Sequence, residues 1–182
     1  MNVLVLVGSL REGSTNRQLA DVAIRNLPEG TDVTLWEELA DLPHYSEDLD
    51  HGQPPAIAAA FRRRVQEADA LIIVTPEYNG SMPSAVKNAI DWASRPRGEA
   101  SLVGLPTAVL AASGSARAAQ WARESAVRAL KVAGAAPIED TVGIGLAHKA
   151  FADGDLIDPE QRQAVADLIG TLVATKREES AA

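Results

Sequence analysis

Apolar positions along this chain follow two alternating spacings. Five short segments are rich in β-branched or small apolar residues: Val3 to Val7, Val33 to Trp36, Ala70 to Val74, Pro106 to Ala112 and, interrupted by Glu139-Asp140, Ile138 to Ile144. Bounded by polar or turn-forming residues, they predict strands. Between the runs, apolar residues recur every three or four positions, the period of a helix with one buried face. Leu19, Val22 and Ala23 do so within Asn16 to Asn26, and Ile57, Ala60, Phe61 and Val65 follow Pro54-Pro55. Val86, Ala89, Ile90 and Ala93 mark Ser84 to Ala93. An Ala-rich stretch from Ala118 to Val132 and the stripe Ala164, Val165, Leu168, Ile169 and Leu172 complete five predicted helices. The last opens on Asp158-Pro159, a capping residue followed by the residue favoured in a first helical turn.

Strand and helix alternating from end to end imply an α/β fold, a doubly wound parallel sheet with right-handed crossovers. There is no repeat and no linker, so residues 1–182 are read as one domain. The polar, turn-rich stretch Leu39 to Gln53 predicts a surface loop at the ligand end, and the tail Lys176 to Ala182 is expected to fray.

Composition narrows the partners. With 17 basic and 25 acidic residues the formal charge is −8, which disfavours nucleic acid or an anionic membrane as a main partner. The absence of cysteine excludes a disulfide framework, a thiolate nucleophile and a thiolate metal site. Met1 to Val7 is too short for a signal-peptide core, and no run approaches the ~18 apolar residues of a spanning helix. A soluble, cytoplasmic protein is expected. His44, His51 and His148 lack ligand spacing, so no metal site is expected. Asp153-Gly154-Asp155 with Asp158 misses the remaining positions of a calcium loop and reads as a solvated turn.

Gly8-Ser9-Leu10-Arg11-Glu12-Gly13-Ser14-Thr15-Asn16-Arg17 joins the first strand to the first helix. Glycines permit a tight turn, hydroxyls donate hydrogen bonds and a helix N-terminus presents unpaired N–H groups, which together make an anion site. The same residues also cap helices for their own sake, but the density of donors favours a phosphate. Gly8 and Gly13 have the glycine spacing of a P-loop, yet the lysine that reaches the outer phosphates of a triphosphate is missing. The three-glycine dinucleotide fingerprint fails at Leu10. A monophosphate remains, read by Ser9, Arg11, Ser14 and Asn16, with Thr15 between them.

The second informative stretch is Thr75-Pro76-Glu77-Tyr78-Asn79-Gly80-Ser81-Met82-Pro83, between the third strand and its helix. A loop at the carboxyl end of such a strand is where open α/β sheets bind ligands. Pro, Tyr, Asn and Gly there offer rigid backbone donors beside one aromatic wall, which suits a planar heteroaromatic ligand.

Together the two loops resemble the NADPH-dependent FMN reductase family of flavodoxin-like proteins, which includes quinone, azo-dye and chromate reductases. Gly8, Ser9, Arg11, Ser14 and Asn16 match its Gly-Ser-x-Arg-x-x-Ser-x-Asn form. Pro76 to Asn79, Pro83 and Lys87 to Trp92 match its Pro-Glu-Tyr-Asn, Pro and Lys-Asn-Ala-Ile-Asp-Trp form. The resemblance implies a five-stranded parallel sheet in the order 2-1-3-4-5 with helices on both faces. It implies non-covalent FMN, with its phosphate in the first loop and its ring against Pro76, Glu77, Tyr78, Asn79 and Gly80. NADPH or NADH would be the co-substrate, and a quinone, free flavin or similar small molecule the electron acceptor. A homodimer or homotetramer is implied too. Relatives often carry a Ser-rich segment with paired glycines after the fourth strand. Here Ser113-Gly114-Ser115-Ala116-Arg117-Ala118-Ala119-Gln120 keeps Ser113 and Gly114 as ring contacts but lacks the pair.

The flavin does the redox chemistry in such enzymes, so no catalytic triad is expected, and Tyr78 is the candidate substrate-face residue. A flavodoxin-like electron carrier and a flavin-binding regulatory module are the competing readings, and the Pro-Glu-Tyr-Asn loop resembles the reductases. Arg62-Arg63-Arg64 is expected on an exposed helix face, Lys87 and Asp91 as an i,i+4 pair, and Trp36, Trp92 and Trp121 in core or interface.

Overall fold

The computed structural model describes residues 1–175; the tail from Lys176 to Ala182 lies outside the described residues. The elements run β1 (Asn2–Val7), α1 (Thr15–Arg25), β2 (Asp32–Trp36), α2 (Glu47–Asp50), α3 (Ala56–Glu67), β3 (Ala70–Val74), α4 (Ser84–Ala93) and β4 (Pro106–Ala112). They continue with α5 (Gln120–Val132), β5 (Ala136–Pro137), β6 (Val142–Ile144), β7 (Phe151–Ala152), β8 (Asp155–Leu156) and α6 (Pro159–Ala174). The main sheet is parallel, in the order β2-β1-β3-β4-β5, with β6 also paired to β4. This is the doubly wound flavodoxin-like arrangement expected.

Side chains alternate across each strand, so each strand supplies two cores. Leu4, Leu6, Leu71, Ile73 and Val109 pack with Phe61, Val65, Val86, Ile90, Trp92 and Leu130, from α3, α4 and α5. Val3, Val5, Ile72, Val74, Ala108 and Leu110 face the other way, onto Leu19 and Val22 of α1 and Val165, Leu168, Ile169 and Leu172 of α6. Every residue of β3 and β4 is buried, which is why both read as unbroken apolar runs.

The fifth strand differs from expectation. Only Val142–Ile144 of the stretch from Ile138 to Ile144 is strand, and a shorter piece, Ala136–Pro137, precedes it. Between them the chain leaves the sheet, and the Arg123 guanidinium takes the Thr141 carbonyl (3.2 Å) and hydroxyl (2.5 Å) in place of a ladder partner. The Asp153-Gly154 turn, with φ of 50° and 78°, belongs to a short hairpin of β7 and β8.

The segment 39–53 is not a free surface loop. Leu39 and Leu42 are buried in the core, and a 3₁₀ turn, Glu38–Ala40, and α2 interrupt it. Two residues of the Lys-Asn-Ala-Ile-Asp-Trp motif hold it down. Asn88 accepts from the Tyr45 amide (2.8 Å) and donates to the Leu42 and Pro43 carbonyls, and the Trp92 indole donates to the Pro43 carbonyl (2.7 Å). Arg62 completes the anchor. It grips both carboxylate oxygens of Asp50 at 2.7 Å, donates to the Trp92 carbonyl and lies over the Trp92 ring. Of the three consecutive arginines, therefore, only Arg63 and Arg64 are exposed.

The Arg62 hydrogen bonds, opposed by burial, hold the Asp50 carboxyl below its ordinary value of 3.8. A lowered folded value means that the pair stabilises the fold fully above that ordinary value and is lost as pH falls through the folded one. Asp50→Asn should cost about 1–3 kcal/mol at pH 7, since both partners are mostly buried. Urea unfolding should show a constant gap from wild type between pH 7 and 5, closing below 3.8. A gap of the same size at pH 3 would contradict the ionic account.

Candidate active site

Three loops leave the carboxyl edge of the sheet side by side, at 8–14, 75–83 and 113–119. Each begins by prolonging the ladder: the Gly8 amide donates to the Val74 carbonyl (2.8 Å), Thr75 to Leu110 (2.9 Å) and Ser113 to Ile144 (2.9 Å). The loops therefore start from fixed points. Gly8 serves close packing rather than a special backbone angle. A Cβ there would stand 2.4 Å from Val86 Cγ2 and 3.2 Å from Pro76 Cδ, so its bareness lets the first two loops touch.

In the first loop Gly13 makes the turn at φ 63°, and Ser14 caps α1 by accepting from the Asn16 amide at 3.2 Å. The Ser14 hydroxyl proton stays available to a ligand. The first turn of α1 contains no acid, as in α3, α4 and α5, whereas α2 has Glu47, Asp48 and Asp50 there and α6 has Glu160. The positive end of the α1 dipole is thus left without an internal anion. Arg11 lies exposed in the same loop, while Arg17 is taken up by Asp21 and Glu37. Asn16 is buried. Its Oδ1 accepts from the Ala112 amide (2.8 Å) and its Nδ2 donates to the Ala112 carbonyl (2.9 Å), leaving one amide hydrogen of the side chain for an anion.

In the second loop Tyr78 and Ser81 exchange backbone hydrogen bonds of 3.0 and 3.1 Å around Asn79-Gly80. Both central residues have positive φ, 51° and 75°, as a type I′ turn requires. Tyr78 stands at the base of this turn with half its surface exposed. The Glu77 carboxylate accepts from the Ala122 amide in α5 at 3.1 Å.

The third loop ends on Ala118 and Ala119, both left-handed at φ 52° and 53°. Glycine meets such angles without strain; here two alanines adopt them, at a cost of about 1–2 kcal/mol each. Helix α5 consequently starts at Gln120, two residues later than the Ala-rich pattern predicts. The strained turn is held from outside. Arg123 Nε donates to the Ala118 carbonyl (3.2 Å), and burial pushes its guanidinium below the ordinary value against the opposing pull of Glu124 and Glu77. Gly143 makes room for both, since a Cβ there would meet the Ala118 oxygen at 2.5 Å and Arg123 Nε at 2.7 Å.

Ser9, Arg11, Ser14, Thr15, Asn16, Pro76, Glu77, Tyr78, Ser113 and Gly114 line one cleft of about 190 Å³, with Ala112 at its floor. Of the site residues expected from the sequence, Asn79 and Gly80 lie outside this lining, because they form the turn that carries the loop back from Tyr78 to Ser81. The chemistry of the cleft is a set of hydroxyls, one guanidinium and a helix N-terminus beside a proline and a tyrosine ring. It suits a phosphate joined to a flat aromatic group. Sequence reading missed the two-handed grip of Asn16 on Ala112 and the contact of the Glu77 side chain with α5. The first has no local signature, and the second links residues 45 positions apart.

The family model for NADPH-dependent FMN reductase matches residues 1–149. A 2-hydroxy-1,4-benzoquinone reductase of Burkholderia sp is 44% identical over 113 residues, 62% of this chain and 61% of the relative. An NAD(P)H-dependent FMN reductase of Pseudomonas aeruginosa is 40% identical over 172 residues, 91% of this chain and 89% of the relative. The chain spans only about three fifths of the Burkholderia protein and of a Pseudomonas putida quinone reductase, 61% and 60%. Among solved structures, FerB of Paracoccus denitrificans, a flavoenzyme NAD(P)H:(acceptor) oxidoreductase, aligns with a TM-score of 0.84 at 32% identity over 95% of both chains.

Asn16→Ala would leave the Ala112 N–H and C=O buried without partners. Denaturant unfolding should then report a loss of about 2–4 kcal/mol, from one to two unsatisfied backbone groups. A loss under about 0.5 kcal/mol would mean that water replaces the amide freely, and that the grip is not structural.

Proposed function

The chain belongs to the NADPH-dependent FMN reductase family, and from that premise we propose that it is an FMN-dependent NAD(P)H oxidoreductase that reduces quinones, free flavin or similar small acceptors. The observation that carries this reading is the convergence of the two separated motifs, with Ser113 and Gly114, on one cleft. FMN, when bound, supplies a ring that accepts hydride from the nicotinamide and gives it up to the acceptor.

The protein's part is to hold and orient. Ser9, Ser14 and Thr15 offer hydroxyls to the phosphate, Arg11 balances its charge and the acid-free first turn of α1 adds its dipole. Pro76 and the backbone of Glu77 and Tyr78 back the ring, and Ser113 and Gly114 flank it. The volume of the cleft suits the phosphate and the sugar-alcohol chain. The ring would be held beside Tyr78, which lines the cleft and is half exposed, so that Tyr78 would border the substrate. Asn79 and Gly80 act through the turn that sets the position of Tyr78.

The acceptor class follows the relatives named as quinone and FMN reductases. We assign the protein to the cytoplasm; no helix among the described residues is long and apolar enough to cross a membrane. A homodimer or homotetramer is part of the same reading. A groove of about 580 Å³ runs between α4 and α5, with Val103 and Val132 exposed beside Lys87, Asp91, Arg95 and Arg128, a mixed lining that a second copy would cover.

Purified protein loaded with FMN and freed of excess should keep a flavin absorbance band that NADPH or NADH bleaches rapidly without oxygen. A retained band that neither nucleotide bleaches would favour an electron carrier and sink the reductase reading. Arg11→Ala combined with Ser14→Ala should weaken FMN binding by about 10–100-fold and riboflavin binding little, since only FMN carries the phosphate. Equal losses for both ligands would remove the phosphate from this loop. Tyr78→Ala should change turnover or acceptor preference while FMN still binds, and complete loss of FMN would contradict its placement on the substrate face.

A further inference from the structure

Helix α5 is fastened to the second loop at three points on one face. Its start lacks a side-chain cap of its own, because the capping position is Ala119. The Ala122 amide, one of the orphan donors of the first turn, is instead satisfied from outside by the Glu77 carboxylate at 3.1 Å. One residue earlier, the Trp121 indole lies against the turn. A Cβ at Gly80 would come within 3.2 Å of Trp121 Cε3, so the bare glycine admits the ring. One turn later, Ser125 Oγ accepts from the Met82 amide at 3.2 Å, sits 3.3 Å from Ser81 Oγ and donates to the Ala122 carbonyl. The far side of α5 is pinned by Arg123 to Ala118 and Thr141. The loop is therefore held between the sheet and a helix whose own start is fixed.

Granting the flavin reading above, on which this inference rests, we propose that Glu77 is a positioning residue. Its carboxylate caps α5, and through that contact it sets the backbone that faces the flavin ring instead of touching the flavin itself. Two features support this division. The carboxylate is already engaged by a helix N-terminus, a partner that favours an anion. The same loop is also tied by Ser125, which lines the groove between α4 and α5 and not the flavin cleft.

The test compares Glu77→Ala, Glu77→Gln and Ser125→Ala. The readouts are the circular dichroism of the bound flavin's visible band and the dissociation constants of FMN and riboflavin. The melting temperature of the flavin-free protein is followed alongside. Glu77→Ala should weaken FMN and riboflavin by the same factor, about tenfold, and flatten the dichroic band. Glu77→Gln keeps an oxygen acceptor and should stay within about threefold of wild type. Ser125→Ala should shift the dichroic band in the same direction as Glu77→Ala. If Gln is as damaging as Ala while Ser125→Ala is silent, the carboxylate contacts the flavin directly and the proposal is overturned. A lowered melting temperature with an unchanged flavin band would leave Glu77 a purely structural cap, again overturning it. Wild-type protein that retains no flavin would remove the flavin reading itself, and this inference with it. Wild type that binds flavin beside variants that change nothing would overturn the inference alone.

Discussion

The two hydrogen bonds between the Asn16 side chain and the backbone of Ala112 decide where the first helix begins relative to the sheet. They join the start of α1 to the end of β4 across the tops of β1 and β3, so the loops that leave those strands are framed on both sides. Because the amide group is planar and pairs with one N–H and one C=O of the same residue, it fixes distance and orientation together. Everything placed in the cleft is measured from that junction. Ser14 stands two residues before it, and Ser113 and Gly114 follow directly after it. The bare Cα of Gly8 then allows the second loop to close against the first. A buried polar pair and a missing methyl group thus set the spacing among three loops whose own sequences are mostly polar and turn-forming.

Much of this was legible in the amino-acid sequence because the physics involved is local. Strands β1, β3 and β4 are apolar on both faces and cannot satisfy any other environment, so their runs identify them. Ser14 and Asp158 announce helix starts by residue type, and the structure uses both as caps. The cleft was legible because two motifs sit directly after strands one and three, and a parallel sheet brings such loops together at one edge. What escaped was non-local or went against propensity. Alanine is the best helix former, so Ala118 and Ala119 read as helix; a tertiary frame of Arg123 and Gly143 holds them left-handed instead. The same arginine holds the Thr141 carbonyl and hydroxyl where the fifth strand is interrupted, beside the charged pair Glu139-Asp140. The anchoring of 39–53 depends on Asn88, Trp92 and Arg62, whose helices arrive from later in the chain.

Several motif residues gain a physical explanation in this way. Asn88 and Trp92 belong to a stretch that follows the second loop, yet their polar atoms act on the segment after β2. Their part is to close the surface beside the first loop, so that the hydrophobic layer under α3 and α4 is sealed by a loop lacking long secondary structure. Glu77 is similar: it sits in the most specific motif of the chain, and its side chain is turned toward a helix. A motif can thus preserve the scaffold of a site as much as its contacts.

The acid-free first turn of α1 has a kinetic meaning as well. The chain carries a formal charge of −8, so a phosphate ester approaching from solution meets a repelling field before it meets the helix start and Arg11. Any attraction there would come at short range, from orphan N–H groups and the Arg11 guanidinium. Added salt screens the long-range repulsion over a Debye length of roughly 8–10 Å, while close contacts are screened much less. Capture of an anionic ligand should therefore quicken as ionic strength rises from very low values, the reverse of what electrostatic steering produces in a basic protein.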